Sequence, residues 1–181
     1  MTFPYYYETI ISLTDQGRSC SMKGYYVKPI GIIRTPFKHV QGVPIQPVFA
    51  KGIKGTVHVA SDFTAGLKDL EEFSYLILIY YFHLVKGYKL HVKPFLDDTH
   101  RGLFATRAPK RPNPIGISTV KLKEIRKNIL FVENVDIIDK TPLLDIKPYV
   151  PEFDIYKKER IGWLKGKVGK KTRARSDKRF E

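Results

Sequence analysis

The run from Ser74 to Leu84 is almost wholly apolar and rich in β-branched and aromatic side chains. Such a run reads as a central strand buried on both faces, so the rest of the chain must supply its neighbours. Several short segments qualify. Tyr25 to Arg34 alternates between apolar and polar and is closed by Thr35-Pro36. Gly55 to Val59, Leu90 to Pro94, Ser118 to Ile125, Ile129 to Ile138 and Leu143 to Ile146 are further strand-sized stretches. Arg126-Lys127-Asn128 separates two of them as a hairpin turn. Phe63, Leu67, Leu70 and Phe73 share one face of a short helix, with Asp62 or Thr64 as its N-cap. About seven short strands with one short helix predict a mainly β, small single-domain barrel. Eleven Tyr and eleven Phe in 181 residues fit a sheet-rich core of that size. No internal repeat is visible, and no apolar run approaches the ~20 residues that span a bilayer as a helix.

Charge points to a polyanionic partner. The net charge is +14, and residues 157–181 hold eleven Lys/Arg against three acidic side chains. RNA is the favoured partner, although charge alone also suits DNA, anionic lipid or simple solubility. The single cysteine, Cys20, excludes a disulfide framework and a Cys-rich metal or iron–sulfur site, and places the protein in the cytoplasm. His39, His58, His91 and His100 lack ligand-like spacing, and the adjacent Asp97-Asp98 reads as a solvated loop, so no metal is expected. Residues 1–23 are polar, Tyr-rich and unlike a signal peptide; they are expected to lie outside the core, with Met22 as an alternative start, or else to form a short paired strand. Residues 24–156 then form the barrel and 157–181 a basic tail. Within the tail, Ile161 to Leu164 with Trp163 is expected to dock, leaving Lys165, Lys167, Lys170, Lys171, Arg173 and Arg175 for phosphates.

The least ordinary stretch is Gly102 to Ser118. Pro109, Pro112 and Pro114 stiffen an arm that carries Arg107, Lys110 and Arg111. A stiff cationic arm loses little entropy on gripping an anionic ligand; equally, it serves as the entry to an edge strand. Gly116 lets backbone approach closely, and the segment from Ile117 to Leu122 continues as an alternating strand.

The strings Phe104-Ala105-Thr106-Arg107 and Arg111-Pro112-Asn113-Pro114-Ile115-Gly116 resemble the signature of the TrmO-type (TsaA-like) tRNA methyltransferases. The segment from Asp136 to Tyr149 resembles that family's second signature, with weaker matches at Pro29 to Phe37 and Phe73 to Leu76. The resemblance runs from Tyr25 to Pro151. It implies a β-barrel enzyme that uses S-adenosylmethionine, works as a homodimer and methylates N6 of an adenosine beside the tRNA anticodon, one already bearing threonylcarbamoyl. Carried over residue by residue, it implies cofactor contacts at Pro44, Ile45, Gln46, His83, Leu84, Arg107, Ile117, Ile137, Ile138, Asp139 and Lys140. The chain departs from the pattern at Ile45, where the family commonly has arginine, and at Lys140, where it often has glycine.

Residue chemistry accords with parts of this. Methyl transfer from a sulfonium is an in-line displacement that depends on positioning. Arg107 suits a carboxylate, and Ile117, Ile137 and Ile138 suit an adenine ring. An N6 acceptor benefits from a carboxylate that takes its hydrogen; Asp139 is the preferred catalytic candidate and Asp145 the second. Lys110, Arg111 and Asn113 on the arm are candidates for RNA contact. A buried histidine at a strand end is ordinarily structural, and only the resemblance raises His83. No G-x-G fingerprint, Walker motif or His-Glu-x-x-His occurs. The rival functions are a non-catalytic S-adenosylmethionine- or RNA-binding barrel and a small-molecule methyltransferase.

Overall fold

The computed structural model describes residues 11–15, 18–22, 25–156, 159–168 and 174–180. In chain order the strands are β1 (Ile11–Asp15), β2 (Arg18–Met22), β3 (Gly31–Arg34), β4 (Lys54–Val59), β5 (Tyr75–Tyr81), β6 (His91–Val92), β7 (Arg101–Gly102), β8 (Ile115–Arg126), β9 (Ile129–Glu133) and β10 (Thr141–Pro148). Six of them close into an antiparallel barrel in the order β10-β3-β4-β9-β8-β5. Closure leaves no sheet edge, the usual remedy for short strands rich in Ile and Val. The two remaining pairs, β1-β2 and β6-β7, are separate ribbons joined to no barrel strand.

Alternation along each strand decides which side chains enter the barrel. Leu76, Leu78 and Tyr80 point inward from β5, and Gly116, Ser118, Val120 and Leu122 from β8. They meet Ile33, Val57, Val59, Leu130, Val132, Val135, Ile137 and Leu143 in one core. Burial of each such aliphatic side chain stabilises the fold by about 1.5–3 kcal/mol. Gly31 and Gly116 are required by close approach. A Cβ on Gly31 would stand 2.3 Å from the His58 carbonyl oxygen, and one on Gly116 2.3 Å from the Tyr80 ring.

Several details differ from the sequence-based expectation. β5 is not buried on both faces: Tyr75 and Tyr81 on its outer side are exposed. A closed barrel gives a central strand two hydrogen-bonded neighbours but only one fully buried face. The helix expected over Phe63 to Phe73 is two 3-10 turns, Ser61–Leu67 and Leu70–Glu72, interrupted where Asp69 adopts φ 63°. Phe63, Leu67, Leu70 and Phe73 all pack on the core as their spacing predicts, but the coil is tighter than an α-helix. The first barrel strand covers only Gly31–Arg34, and Leu90 to Pro94 keeps only the two-residue β6. Lys140 takes φ 65°, which explains why glycine is at home at this point of the pattern.

After β10 a single helical turn, α1 (Pro151–Asp154), leads to the basic segment. Its described residues fold back onto the body. Trp163 donates its indole N–H to the Ala105 carbonyl at 2.7 Å and stacks near Arg101 and Lys167. Phe180 is buried in a second small cluster with Val92, Leu103, Ala108 and Phe95.

Candidate functional site

A cavity of about 550 Å³ opens at one end of the barrel. Its inner wall is barrel: Tyr80 from β5, Gly116 from β8, and Asp136, Ile137 and Ile138 from the loop between β9 and β10. Phe82 to Lys86, following β5, and Arg107, Pro109 and Arg111 of the proline-stiffened arm form the rim. The remaining wall comes from the loop Val40 to Gln46 together with Ser176 and Phe180 of the C-terminal segment. The volume lies in the ordinary range for small-molecule sites, and the lining is mostly apolar with a few polar groups.

The two segments of that last wall are paired. Gly42 N–H donates to the Ser176 carbonyl at 2.9 Å, Ser176 N–H to Val43 at 2.8 Å, and Ile45 N–H to Ala174 at 3.3 Å. The Ser176 hydroxyl also accepts from Val43 N–H and donates to the Val40 carbonyl. Arg175 donates to the Phe49 carbonyl, and Arg179 pairs with Asp177 while donating to the Pro94 carbonyl. The tail is thus a strap across the loop that carries Pro44, Ile45 and Gln46.

Most of the expected cofactor residues converge here. Pro44, Ile45, Gln46, His83, Leu84, Arg107, Ile117, Ile137 and Ile138 all line the cavity. The Arg107 guanidinium is exposed and donates to the Gln46 side-chain oxygen at 2.7 Å, which holds its charge at the rim. It also borders a neighbouring groove of about 740 Å³ that contains Phe49, Phe104 and Trp163. His83 is half-buried, and burial pushes its pKa below the ordinary histidine value against the opposing charge of Asp139.

Neither Asp139 nor Asp145, the two catalytic candidates of the sequence, lines the cavity. The buried Asp139 carboxylate accepts from Thr35 N–H at 3.0 Å, pairs with Lys38 at 2.6 Å and meets Arg34 at 3.3 Å. Burial alone would raise its pKa, but the hydrogen bonds from Lys38 and Thr35 and the charge of Arg34 outweigh that and lower it. Its role is to tie the loop after β9 to the chain beyond β3. Asp145 lies at a register shift in β10, accepts from Ile146 N–H and pairs with Lys147. Lys140 is exposed and does not line the cavity either.

The proposed RNA contacts divide similarly. Arg111 lines the cavity, but its guanidinium is occupied in stapling the arm, donating to the carbonyls of Leu103, Thr106 and Ala108. Asn113 is exposed and Lys110 half-buried outside the cavity. Lys165 is exposed, whereas Lys167 is paired with Asp97 and Arg175 is bonded to the loop. Lys167, with Arg101, holds the Asp97 carboxylate well below the usual range, so that acid is a structural anchor for the tail. Lys170, Lys171 and Arg173 lie outside the described residues. Among the described residues no group of three His, Cys, Asp or Glu could hold a metal ion. No helix among them is long and apolar enough to cross a membrane.

Reading the sequence missed the polar floor of the cavity. Tyr80 and Ser118 point into the barrel on adjacent strands with their hydroxyls 3.0 Å apart, and Ser118 donates to Asp136 at 2.6 Å. Burial raises the Asp136 pKa to about 7, against the Ser118 hydrogen bond and the charge of Arg107. Burial, reinforced by the charge of Asp136, likewise raises that of the Tyr80 phenol. Strand parity was the available signal, because Ser118 is a polar side chain at an inward position.

The model of the tRNA-methyltransferase O N-terminal domain matches residues 32–155. A Pyrococcus abyssi protein described as a probable S-adenosyl-L-methionine-binding protein is 58% identical over 84% of this chain and 83% of its own length. The Escherichia coli tRNA (adenine(37)-N6)-methyltransferase is 38% identical over 72% of this chain and 60% of the enzyme. The crystal structure of TrmO from Pseudomonas aeruginosa superposes with a TM-score of 0.66 at 36% identity, over 77% of this chain and 62% of that one. The chain therefore spans about three fifths of the length of these two bacterial proteins. With a closed antiparallel barrel, a cavity at its end and a family match across most of the chain, this protein belongs to the tRNA-methyltransferase O family.

Proposed function

We propose that this chain is an S-adenosylmethionine-dependent methyltransferase that modifies N6 of an adenosine beside the tRNA anticodon, one already carrying threonylcarbamoyl. The observation that carries the reading is the convergence of Pro44 to Gln46, His83-Leu84, Arg107, Ile117 and Ile137-Ile138 around one cavity. The donor set fits the cofactor. Arg107 offers a guanidinium to a carboxylate, and Val43, Ile45, Ile117, Ile137 and Ile138 offer apolar walls to a purine. When bound, the cofactor supplies an electrophilic methyl group. The residues around it hold it in line with the acceptor and exclude water, which is most of what such a displacement needs.

The relative named as a tRNA (adenine(37)-N6)-methyltransferase supports the choice of acceptor, and the net charge of +14 supports an RNA partner. A homodimer belongs to the same reading: Leu84, Ile115 and Ile117 are exposed at the mouth, where a second copy would cover them. The test is a single-turnover reaction with S-adenosylmethionine and tRNA carrying unmethylated threonylcarbamoyladenosine, read by nucleoside mass spectrometry. A gain of one methyl on that nucleoside is expected. Cofactor binding without transfer to any RNA would leave a non-catalytic binding barrel.

A further inference from the structure

Among the described residues Asp136 is the one acid on the cavity wall, which otherwise carries Lys86, Arg107 and Arg111. A carboxylate at such depth is costly unless something compensates its charge. Among the described residues, three elements bring polar groups towards it. Ser118 on β8 donates to one oxygen, Tyr80 on β5 stands behind Ser118, and Arg107 acts from the arm at longer range. Arg107 forms no ion pair with it and gives its hydrogen bond to Gln46 instead. Among the described residues Ser118 is the one side chain that donates to Asp136. With the carboxylate ionised, the single Ser118 proton is committed to it, so Tyr80 must donate to Ser118. The relay organises one face of an anion, and among the described residues Arg107 is the one cation that acts on it, at longer range.

We propose that Asp136 is the counter-charge for the positively charged part of the bound cofactor, its sulfonium or its ammonium, with Ser118 and Tyr80 as positioning residues. The assignment rests on the cofactor reading above and adds an electrostatic half to it. Arg107 takes the ligand's carboxylate at the rim, and Asp136 takes positive charge at the floor. A ligand cation lowers the pKa of a carboxyl group that burial has raised to about 7, so binding near neutral pH expels protons.

Calorimetric titration of the full chain with S-adenosylmethionine at pH 7, in two buffers of different ionisation enthalpy, counts those protons. Release of about half a proton per site is expected. The ligand's own α-amino group titrates near ~7.7–8.0 and takes protons up when it gains an anionic partner, so release is the diagnostic sign. Below about pH 6 affinity should fall roughly tenfold per pH unit. Asp136→Asn should abolish the release and weaken binding roughly ten- to a hundredfold. His83, the other titratable group of the wall, is pushed below its ordinary value by burial and so holds few protons to release at pH 7. S-adenosylhomocysteine, which has the ammonium but no sulfonium, tells the two cations apart: retained release means the ammonium is the partner.

Wild-type binding with no proton release anywhere between about pH 5 and pH 8 overturns the proposal and needs no variant. Asp136→Asn that binds normally but fails in single turnover also overturns it, and makes Asp136 a base for the acceptor amine. A wild-type chain that binds no S-adenosylmethionine at all overturns the cofactor reading itself, and this assignment with it.

Discussion

The two walls of the cavity are built in opposite ways. One consists of barrel strands, where Tyr80 and Gly116 are fixed by the unbroken ladder between β5 and β8. The other is the loop from Val40 to Gln46, held by a few hydrogen bonds to Ala174 and Ser176 and by the buried ring of Phe180. The first wall cannot shift without opening the barrel. The second can detach while the barrel stays shut, because local stability follows local contacts. The family match covers residues 32–155, so the strap lies outside it although it borders the same cavity.

The comparison can be broken hardest at Gly116. Gly116→Val places side-chain carbons where a Cβ alone would already stand 2.3 Å from the Tyr80 ring and 2.9 Å from Phe82. Tyr80 is pinned by Ser118 and cannot swing aside, so the loss should reach or exceed the ~1–3 kcal/mol of ordinary overpacking. Thermal melting of the purified variant checks this; a wild-type melt would mean the wall is far softer than its ladders imply.

Deleting residues 174–181 attacks the other wall. Exposing the partners of Phe180 should cost about 1.5–3 kcal/mol in stability while the barrel still folds. Affinity for S-adenosylmethionine should fall by at least about tenfold, the equivalent of ~1.4 kcal/mol. A tail that only gathers phosphates would leave cofactor affinity untouched, so calorimetry on the truncated chain separates the two roles.

Asp139→Ala tests whether the loop carboxylate is a tie. It leaves the Thr35 N–H without its partner, at a cost of about 1–3 kcal/mol. Cofactor affinity and single-turnover rate should stay close to wild type. Collapse of the rate in a fully stable variant would return Asp139 to the reaction.

The smallest effect belongs to Lys140→Gly. Relief of a left-handed backbone, worth roughly 1–2 kcal/mol, is partly offset by the greater freedom of unfolded glycine. A rise in melting temperature of a few degrees is expected, with binding unchanged. A fall would mean that the Lys140 side chain supports the barrel wall.

Much of the fold was legible because barrel strands are local objects. The alternation of β8 and β9 and the turn at Lys127-Asn128 can be read within a short window. The apolar face of Phe63 to Phe73 was equally visible, but its winding was not, because α and 3-10 turns place such residues on nearly the same side. The site was legible where a motif supplied it and illegible where function depends on tertiary proximity. Asp136 and Asp139 are three residues apart in one motif, yet one faces the cavity and the other faces Lys38 and Arg34. Nothing in the local sequence separates those fates. The tail was read by its charge, whereas its structural role rests on Ser176 and Phe180, two uncharged side chains among many cations.

Chain order gives the strap a further meaning. Among the described residues, every other one that lines the cavity lies at or before Thr141, and the barrel has all of its strands by Pro148. Ser176 and Phe180 follow only afterwards. A refolding chain can therefore close its barrel before the strap docks and completes the pocket. Ligand affinity would then depend on a docking step separate from closure of the barrel.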